Sequence, residues 1–389
     1  MPIVYRTILL LYGLVNVFAW REPEEETSDS DYLSDYEEQL AYEQIYDTLQ
    51  LKHVEETLKK QGFSFQISFQ ALVESIRQGN GTEIWNRIIE LVKGYLFADV
   101  SGNRVFMVQL IAVALLGSVF VNLSVSFGSG FISENGFYVS YLIMTSLMLT
   151  SFSLMLEMVR SALEHLLTLV QIFVPVYALA MNYIGHPATS AGMYEVIMVG
   201  IWIVQVLILR FILPMIQFYV IVSLVNHLNK EDSFSKLCTL IRSMVGWMLK
   251  SIVVFVAGLN IIKSLLEPQM DVIGKRAISK VIASVPGGGI VSVLTGTFLG
   301  AGVIIKNCIG IAGIVIILFF LLIPVVKAFL MMVTARLTAV IIQPIGEKRY
   351  VEGVESLAMG MKLLLQAMGS AVVLFVLTIA IMAYVSSGG

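Results

Sequence analysis

The sequence predicts an all-α polytopic integral membrane protein with about six to eight membrane segments, some broken or re-entrant, and a small, acidic, helical N-terminal region. Three observations carry that expectation. Of the 389 residues, 57% are hydrophobic and 14% charged, with a mean hydropathy of +0.83, against roughly 45–50% and about 25% in soluble domains. Charge is divided along the chain: residues 21–104 hold 17 acids against 8 bases, and residues 105–389 hold 11 acids against 16 bases. Several uncharged runs also reach the ~20 residues that a helix needs to cross a ~30 Å hydrocarbon core. This composition excludes a globular cytosolic enzyme and a disordered chain. No basic face is available to displace counterions, so a nucleic-acid partner is not expected.

Residues 1–20 place Arg6 ahead of an apolar run from Ile8 to Ala19. That run is too short for a comfortable crossing and matches the apolar core of a secretory signal peptide, with Val17-Phe18-Ala19 as the cleavage region. The alternative is an uncleaved N-terminal anchor, and either one exports the region behind it. Residues 21–35 carry Glu22, Glu24, Glu25, Glu26, Asp29, Asp31 and Asp35 with almost nothing to bury, which predicts an acidic disordered segment. Residues 36–104 are read as extracytoplasmic amphipathic helices. Tyr36, Leu40, Ile45, Leu49, Val54 and Leu58 recur at roughly helical spacing. Ser68 can cap a helix with Phe69, Leu72, Val73 and Ile76 on one face. After the Gly79-Asn80-Gly81 turn, Thr82 can cap a second with Ile84, Ile88, Leu91, Val92 and Tyr95. The alternation Phe63, Phe65, Ile67, Phe69 allows a short strand instead. Faces this small cannot build an independent core, so they are expected to pack on the membrane surface or on a partner protein.

The polytopic region, residues 105–389, contains four plain spans: Val105–Phe127, Phe137–Leu156, Leu166–Ile184 and Leu363–Val385. Three further regions are irregular. Val196 to Val225 is apolar apart from Arg210, with Pro214 close behind. As one straight helix it would be about 45 Å long, so it must tilt, kink at Pro214 or fold as two pieces around Arg210. Phe234–Leu266 is interrupted by Lys236, Arg242, Lys250 and Lys263 and is expected to enter the membrane around Met248–Ile262. The third region, Val281 to Lys327, holds Pro286-Gly287-Gly288-Gly289, then Gly296, Gly300, Gly302, Gly310 and Gly313, with Lys306 in the middle.

Gly296 and Gly300, four apart, would let helices approach closely, whereas a triple glycine sits poorly inside a lipid-facing helix. Residues 283–305 therefore read either as a re-entrant or broken segment, or as an external loop ending at Gly289 followed by a closely packed helix. Pro175, Pro214 and Pro324 each stand inside an apolar run and are expected to bend it. Arg210 and Lys306 have apolar sequence on both sides. A cation at mid-bilayer costs several kcal/mol unless paired or wet, which makes both candidates for function, unless they snorkel to an interface. Glu157, Arg160, Glu164 and His165 suit a salt-bridged connector helix between two spans. The positive-inside rule asks for Lys230, Lys236, Arg242 and Lys250, and again Lys348, Arg349 and Lys362, on the cytoplasmic side.

Recognisable chemistry is sparse. There is no phosphate-binding G-x-x-x-x-G-K-[ST] loop, no H-E-x-x-H, no G-x-S-x-G and no dinucleotide fingerprint. Cys238 and Cys308 lie in apolar stretches without a Cys/His cluster, and the four histidines are far apart in sequence. No catalytic, cofactor-binding or metal residues are assigned, and no enzyme activity is expected.

Three stretches stand out together: Ser161-Ala162-Leu163-Glu164 through Pro175-Val176, Pro286-Gly287-Gly288-Gly289 through Lys327 with Cys308-Ile309-Gly310, and Gln343-Pro344-Ile345-Gly346 with Glu355-Ser356-Leu357. In these residues the chain resembles the stage III sporulation protein AE family of endospore-forming bacteria. The resemblance implies a subunit of the channel or secretion-like complex that links mother cell and forespore, needed for late forespore development. It also implies residence in the mother-cell membrane around the forespore, with other membrane proteins of that complex and a forespore-membrane partner as associates; a homo-oligomer is compatible with it. The family supplies no catalytic residues. The structural and pore candidates are therefore Arg210, Lys306, Gly287, Gly288, Gly289, Gly296, Gly300, Pro175, Pro214 and Pro324. A stand-alone secondary transporter for a small solute and a non-conducting membrane scaffold are the alternatives.

Overall fold

The computed structural model describes residue 56 and residues 69–78, 107–119, 130–184, 186–228, 233–283, 288–344 and 347–385. Every element among them is helical. The expected signal or anchor, the acidic segment, the helix after Thr82 and Gly287 lie outside the described residues.

Helix α1 (Phe69–Arg77) is the amphipathic helix expected after Ser68. It buries Leu72 and Val73, while the part-buried Glu74 and Arg77 pair across one turn at 2.9 Å from Nε. Its apolar face docks on a membrane-region helix of the same chain, α7 below, rather than on a lipid surface or another protein. Helix α2 (Met107–Val119) lies within the first plain span.

Five long passes follow, each antiparallel to the one before. The first is α3 (Gly130–Tyr183), 54 residues and about 81 Å at 1.5 Å per residue. It joins two runs expected as separate spans, with Glu157, Arg160, Glu164 and His165 inside it. Glu and Arg are good helix formers, so charges in an apolar chain signal a change of surroundings and not the end of a helix. The second pass is α4 (Pro187–Ile203), a π-helical stretch over Val204–Ile212, and α5 (Leu213–Asn226). The third is α6 (Ser235–Ala283), of which Ser235–Ile262 is long and apolar enough to cross a membrane. The fourth is α7 (Gly288–Ile342), unbroken through 55 residues, and the fifth is α8 (Lys348–Val385).

These five passes are each long and apolar enough to cross a membrane. Among the described residues the long helices are thus fewer than the apolar runs, because two runs share α3. Helix α8 is the central one and touches α3, α4, α5, α6 and α7. Small residues admit its neighbours: Gly353 lies under the Tyr141 hydroxyl, and Gly360, seven residues on and on the same face, lies under Val220 and Phe152. Buried Ala358, Ala367 and Ala371 extend that low relief. In a bilayer, where lipid tails are as apolar as side chains, such close van der Waals contact is the main force joining helices.

The bundle has two ends. The turn end holds the α5–α6 and α7–α8 turns and the start of α3. The head end holds the α3–α4 turn and α1.

Candidate functional site

At the turn end, α3, α5 and α8 bring together a cluster of charged, hydroxyl and aromatic side chains. Arg349 is its centre. Its Nε donates to Glu347 at 2.7 Å and one terminal nitrogen to Glu134 at 3.2 Å. Its guanidinium lies over the Phe137 ring at 3.4 Å from the centroid. The planar fork satisfies two carboxylates and an aromatic face together, which a lysine could not do. Glu347 also precedes the N-terminus of α8, where the helix dipole favours negative charge.

Below this layer Ser140 Oγ and Tyr350 Oη share a buried 2.5 Å hydrogen bond, and Tyr141 Oη donates to the Leu224 carbonyl at 2.8 Å. Phe137 stacks on Tyr141 at 5.3 Å and tilts against Tyr350 at 5.1 Å. A chain of polar contacts then ties α5 to α8. Ser223 Oγ donates to Ser356 Oγ at 2.8 Å, Ser356 meets His227 Nε2 at 3.0 Å, and His227 Nδ1 lies 3.5 Å from Glu352. The order serine, histidine, carboxylate is that of a hydrolytic triad. Here the serine stands two turns inside a helix and accepts a second hydroxyl, so the chain of bonds acts as a clamp between helices. Among the described residues no group of three or more His, Cys, Asp or Glu could hold a metal ion.

The expected irregularity around Arg210 takes the form of the π-helical stretch. Leu213 N–H donates to Ile208 O, five residues back. Pro214 lacks an N–H and its ring clashes with the carbonyl four residues earlier, that of Arg210, so the wider turn relieves the conflict without a break. Pro175 and Pro324 stay inside continuous helices; helices in a packed bundle tolerate proline because neighbouring groups re-satisfy the freed carbonyls. Beside Pro175, Phe173 and Tyr177 fit over Gly313 and Gly310 of α7, where added Cβ atoms would come within 2.9 Å and 3.0 Å of the rings. Beside Pro324, a cleft of about 220 Å³ lies between α3 and α7, lined in part by Ser161, His165 and Phe320.

Gly288, Gly289, Gly296 and Gly300 belong to the first turns of α7, which is helical from Gly288 onward. Lys306 is fully buried in α7 and engaged by its surroundings. Arg210 is exposed on the opposite half of the bundle. The candidates thus fall into separate places: Arg210 with Pro214, Pro175 and Pro324 on facing helices, and Lys306 with the glycines toward the head end.

Sequence reasoning missed the turn-end cluster. Arg349 and Glu134 are 215 residues apart, and no local spacing joins them. The available signals were Phe137, Ser140 and Tyr141 at helical intervals, and the charged run Glu347-Lys348-Arg349 beside a proline turn. A mid-bundle bond was missed for the same reason: Asn260 Nδ2 donates to Thr378 Oγ1 at 3.0 Å between α6 and α8.

Comparison with known proteins agrees with this architecture in extent. A protein of Bacillus subtilis (strain 168) described as stage III sporulation protein AE is 22% identical over 254 residues, which are 65% of this chain and 64% of that protein's length. No solved structure matches. The family model for stage III sporulation protein AE matches residues 67–386, from just before α1 to the end of α8, and the chain belongs to that family.

Proposed function

We propose that the chain is a membrane subunit of the channel or secretion-like complex that connects mother cell and forespore, needed for late forespore development. The match over residues 67–386, which takes in all five long apolar passes, is the observation that carries this reading. The subunit sits in the mother-cell membrane surrounding the forespore and contributes helix surfaces to other membrane proteins of the complex and to a forespore-membrane partner. Exposed Val139, Leu142, Leu154, Trp247 and Val254 provide apolar surface for lipid or neighbouring subunits. The role is one of assembly and passage, without a chemical step assigned to any residue.

The test is deletion of the gene in a spore-former with complementation by the wild-type copy. The expected result is loss of heat-resistant spores, restored by the wild-type chain. Normal spore counts in the deletion strain would overturn the reading.

A further inference from the structure

Two helices of the bundle carry opposite charge on their exposed faces at matching heights. Across the α5–α6 turn the Phe234 N–H donates to Asn226 Oδ1 at 2.7 Å, which sets these two residues level. Arg242 and Lys250 follow Phe234 on α6 by eight and sixteen residues and stand about 12 and 24 Å from the turn. The height of α3 comes from Gly360 of α8, which Phe152 of α3 and Val220 of α5 both approach. Val220 lies six residues before Asn226, so Phe152 is about 9 Å from the turn. Glu157 and Glu164 follow Phe152 by five and twelve residues, which puts them about 17 and 27 Å from it. Each of these cations of α6 thus has an acid of α3 within about one helical turn of its height.

The two faces do not pair within one bundle. Helices α3 and α6 both pack on α8, and Glu157, Glu164, Arg242 and Lys250 are exposed. None of the four side chains has a hydrogen bond or ion pair among the described residues. Arg160, between the two acids in sequence, is half-buried and forms an ion pair with neither. Each charged face also has an apolar anchor about one turn away: Leu154, 67% exposed, before Glu157, and Trp247, 70% exposed, before Lys250. Large exposed apolar side chains ringed by charge are the composition of a protein contact, and tryptophan is a frequent centre of one.

We propose that the chain self-assembles, with the α6 face of one copy (Arg242, Trp247 and Lys250) docking on the α3 face of the next (Leu154, Glu157 and Glu164). Copies in one membrane share an orientation, so heights that match within a chain also match between chains. Charge selects this pairing over the two symmetric ones: α6 against α6 sets cations facing cations, and α3 against α3 sets acids facing acids. Unlike faces make a heterologous contact, which repeats from copy to copy and gives a ring where its rotation closes. Self-association is a property of the chain alone and stands apart from its role in sporulation.

The test uses the full-length protein in mild detergent, with its mass measured by light scattering over a range of concentrations. Wild type is expected to form oligomers that loosen as salt rises. Glu157→Lys/Glu164→Lys and Arg242→Glu/Lys250→Glu should each weaken self-association by about 25-fold or more, taking about 5-fold for each exposed pair. A chain with all four changes should associate again, and so should an equal mixture of the two double variants; either restoration also shows that the reversed side chains leave the fold intact. In a Cys238→Ser/Cys308→Ser background, Glu164→Cys with Lys250→Cys should give a disulfide-linked ladder on oxidation, whereas Leu142→Cys with Lys250→Cys should not. A wild type that stays monomeric, double variants that assemble as well as wild type, or a fourfold variant that melts like wild type yet stays monomeric overturns the proposal.

Discussion

Replacing Gly117 with alanine should destabilise the bundle by about 2–4 kcal/mol, because the new methyl group enters the tightest polar contact at the turn end. A Cβ there would overlap the Tyr350 hydroxyl and come within 2.7 Å of Ser140 Oγ and 2.8 Å of Tyr350 Cζ. Neither neighbour can retreat. Ser140 Oγ is also held by the Gly136 and Phe137 carbonyls at 2.8 and 3.0 Å, and the fully buried Tyr350 ring is wedged against Phe137 and Tyr141. Overpacking typically costs about 1–3 kcal/mol, and loss of the Ser140–Tyr350 hydrogen bond adds about 1 kcal/mol. Tyr350→Phe alone should cost only that second amount, since Ser140 keeps its backbone acceptors. In the Gly117→Ala background it removes the overlapping oxygen and should recover stability, a coupling of about 1–2 kcal/mol. SDS titration of purified protein in mixed micelles, followed by tryptophan fluorescence, measures all four corners of this cycle. Additive costs, or a Gly117→Ala protein as stable as wild type, would refute the packing described for α2, α3 and α8.

Other substitutions probe separate contacts. Gly360→Ala should lower stability by about 1–3 kcal/mol, since its Cβ overlaps Val220 Cγ2, and Val220→Ala should restore most of the loss in the same titration. Arg349→Ala should cost about 1–2 kcal/mol by leaving Glu134 and Glu347 without their guanidinium; Arg349→Lys should recover less than half, because an ammonium neither forks between carboxylates nor stacks on Phe137. Asn260→Ala should cost about 1 kcal/mol through loss of the bond to Thr378, and Thr378→Val should give a similar, non-additive loss in a double-mutant cycle. Gly288→Leu and Gly296→Leu should block sporulation in a complementation assay if the start of α7 packs closely against another helix.

The legible and illegible parts of this fold divide on physical grounds. Hydropathy over a window of about 20 residues finds apolar passes well, and the plain runs at Phe137, Leu166 and Leu363 all fall in long helices. It does not say where a helix ends. The charges at Glu157 to His165 suit a connector helix between two spans; nothing among them breaks a helix, and α3 runs through them in one piece with both spans. At Pro214 the expected disturbance exists, and the chemistry of a missing N–H explains why it becomes a wider turn and not a gap. The triple glycine gives two readings because glycine suits both a loop and a close helix contact; the chain is helical from Gly288 onward. The turn-end cluster was invisible for a different reason. Its pairs, Glu134 with Arg349, Ser140 with Tyr350 and His227 with Glu352, come from different passes. A single sequence carries no register between helices, so the most polar assembly in the molecule leaves only scattered residues to read.

The most direct measurement is purification of an affinity-tagged, functional copy of the chain from sporulating cells in mild detergent, followed by identification of what accompanies it. As a subunit of an assembly between two cells, the chain should bring down other membrane proteins needed at the same stage, in fixed ratio, and should move no solute when reconstituted alone in liposomes. Recovery of the chain by itself, together with gradient-driven uptake by those liposomes, would contradict the account and identify it as an independent transporter.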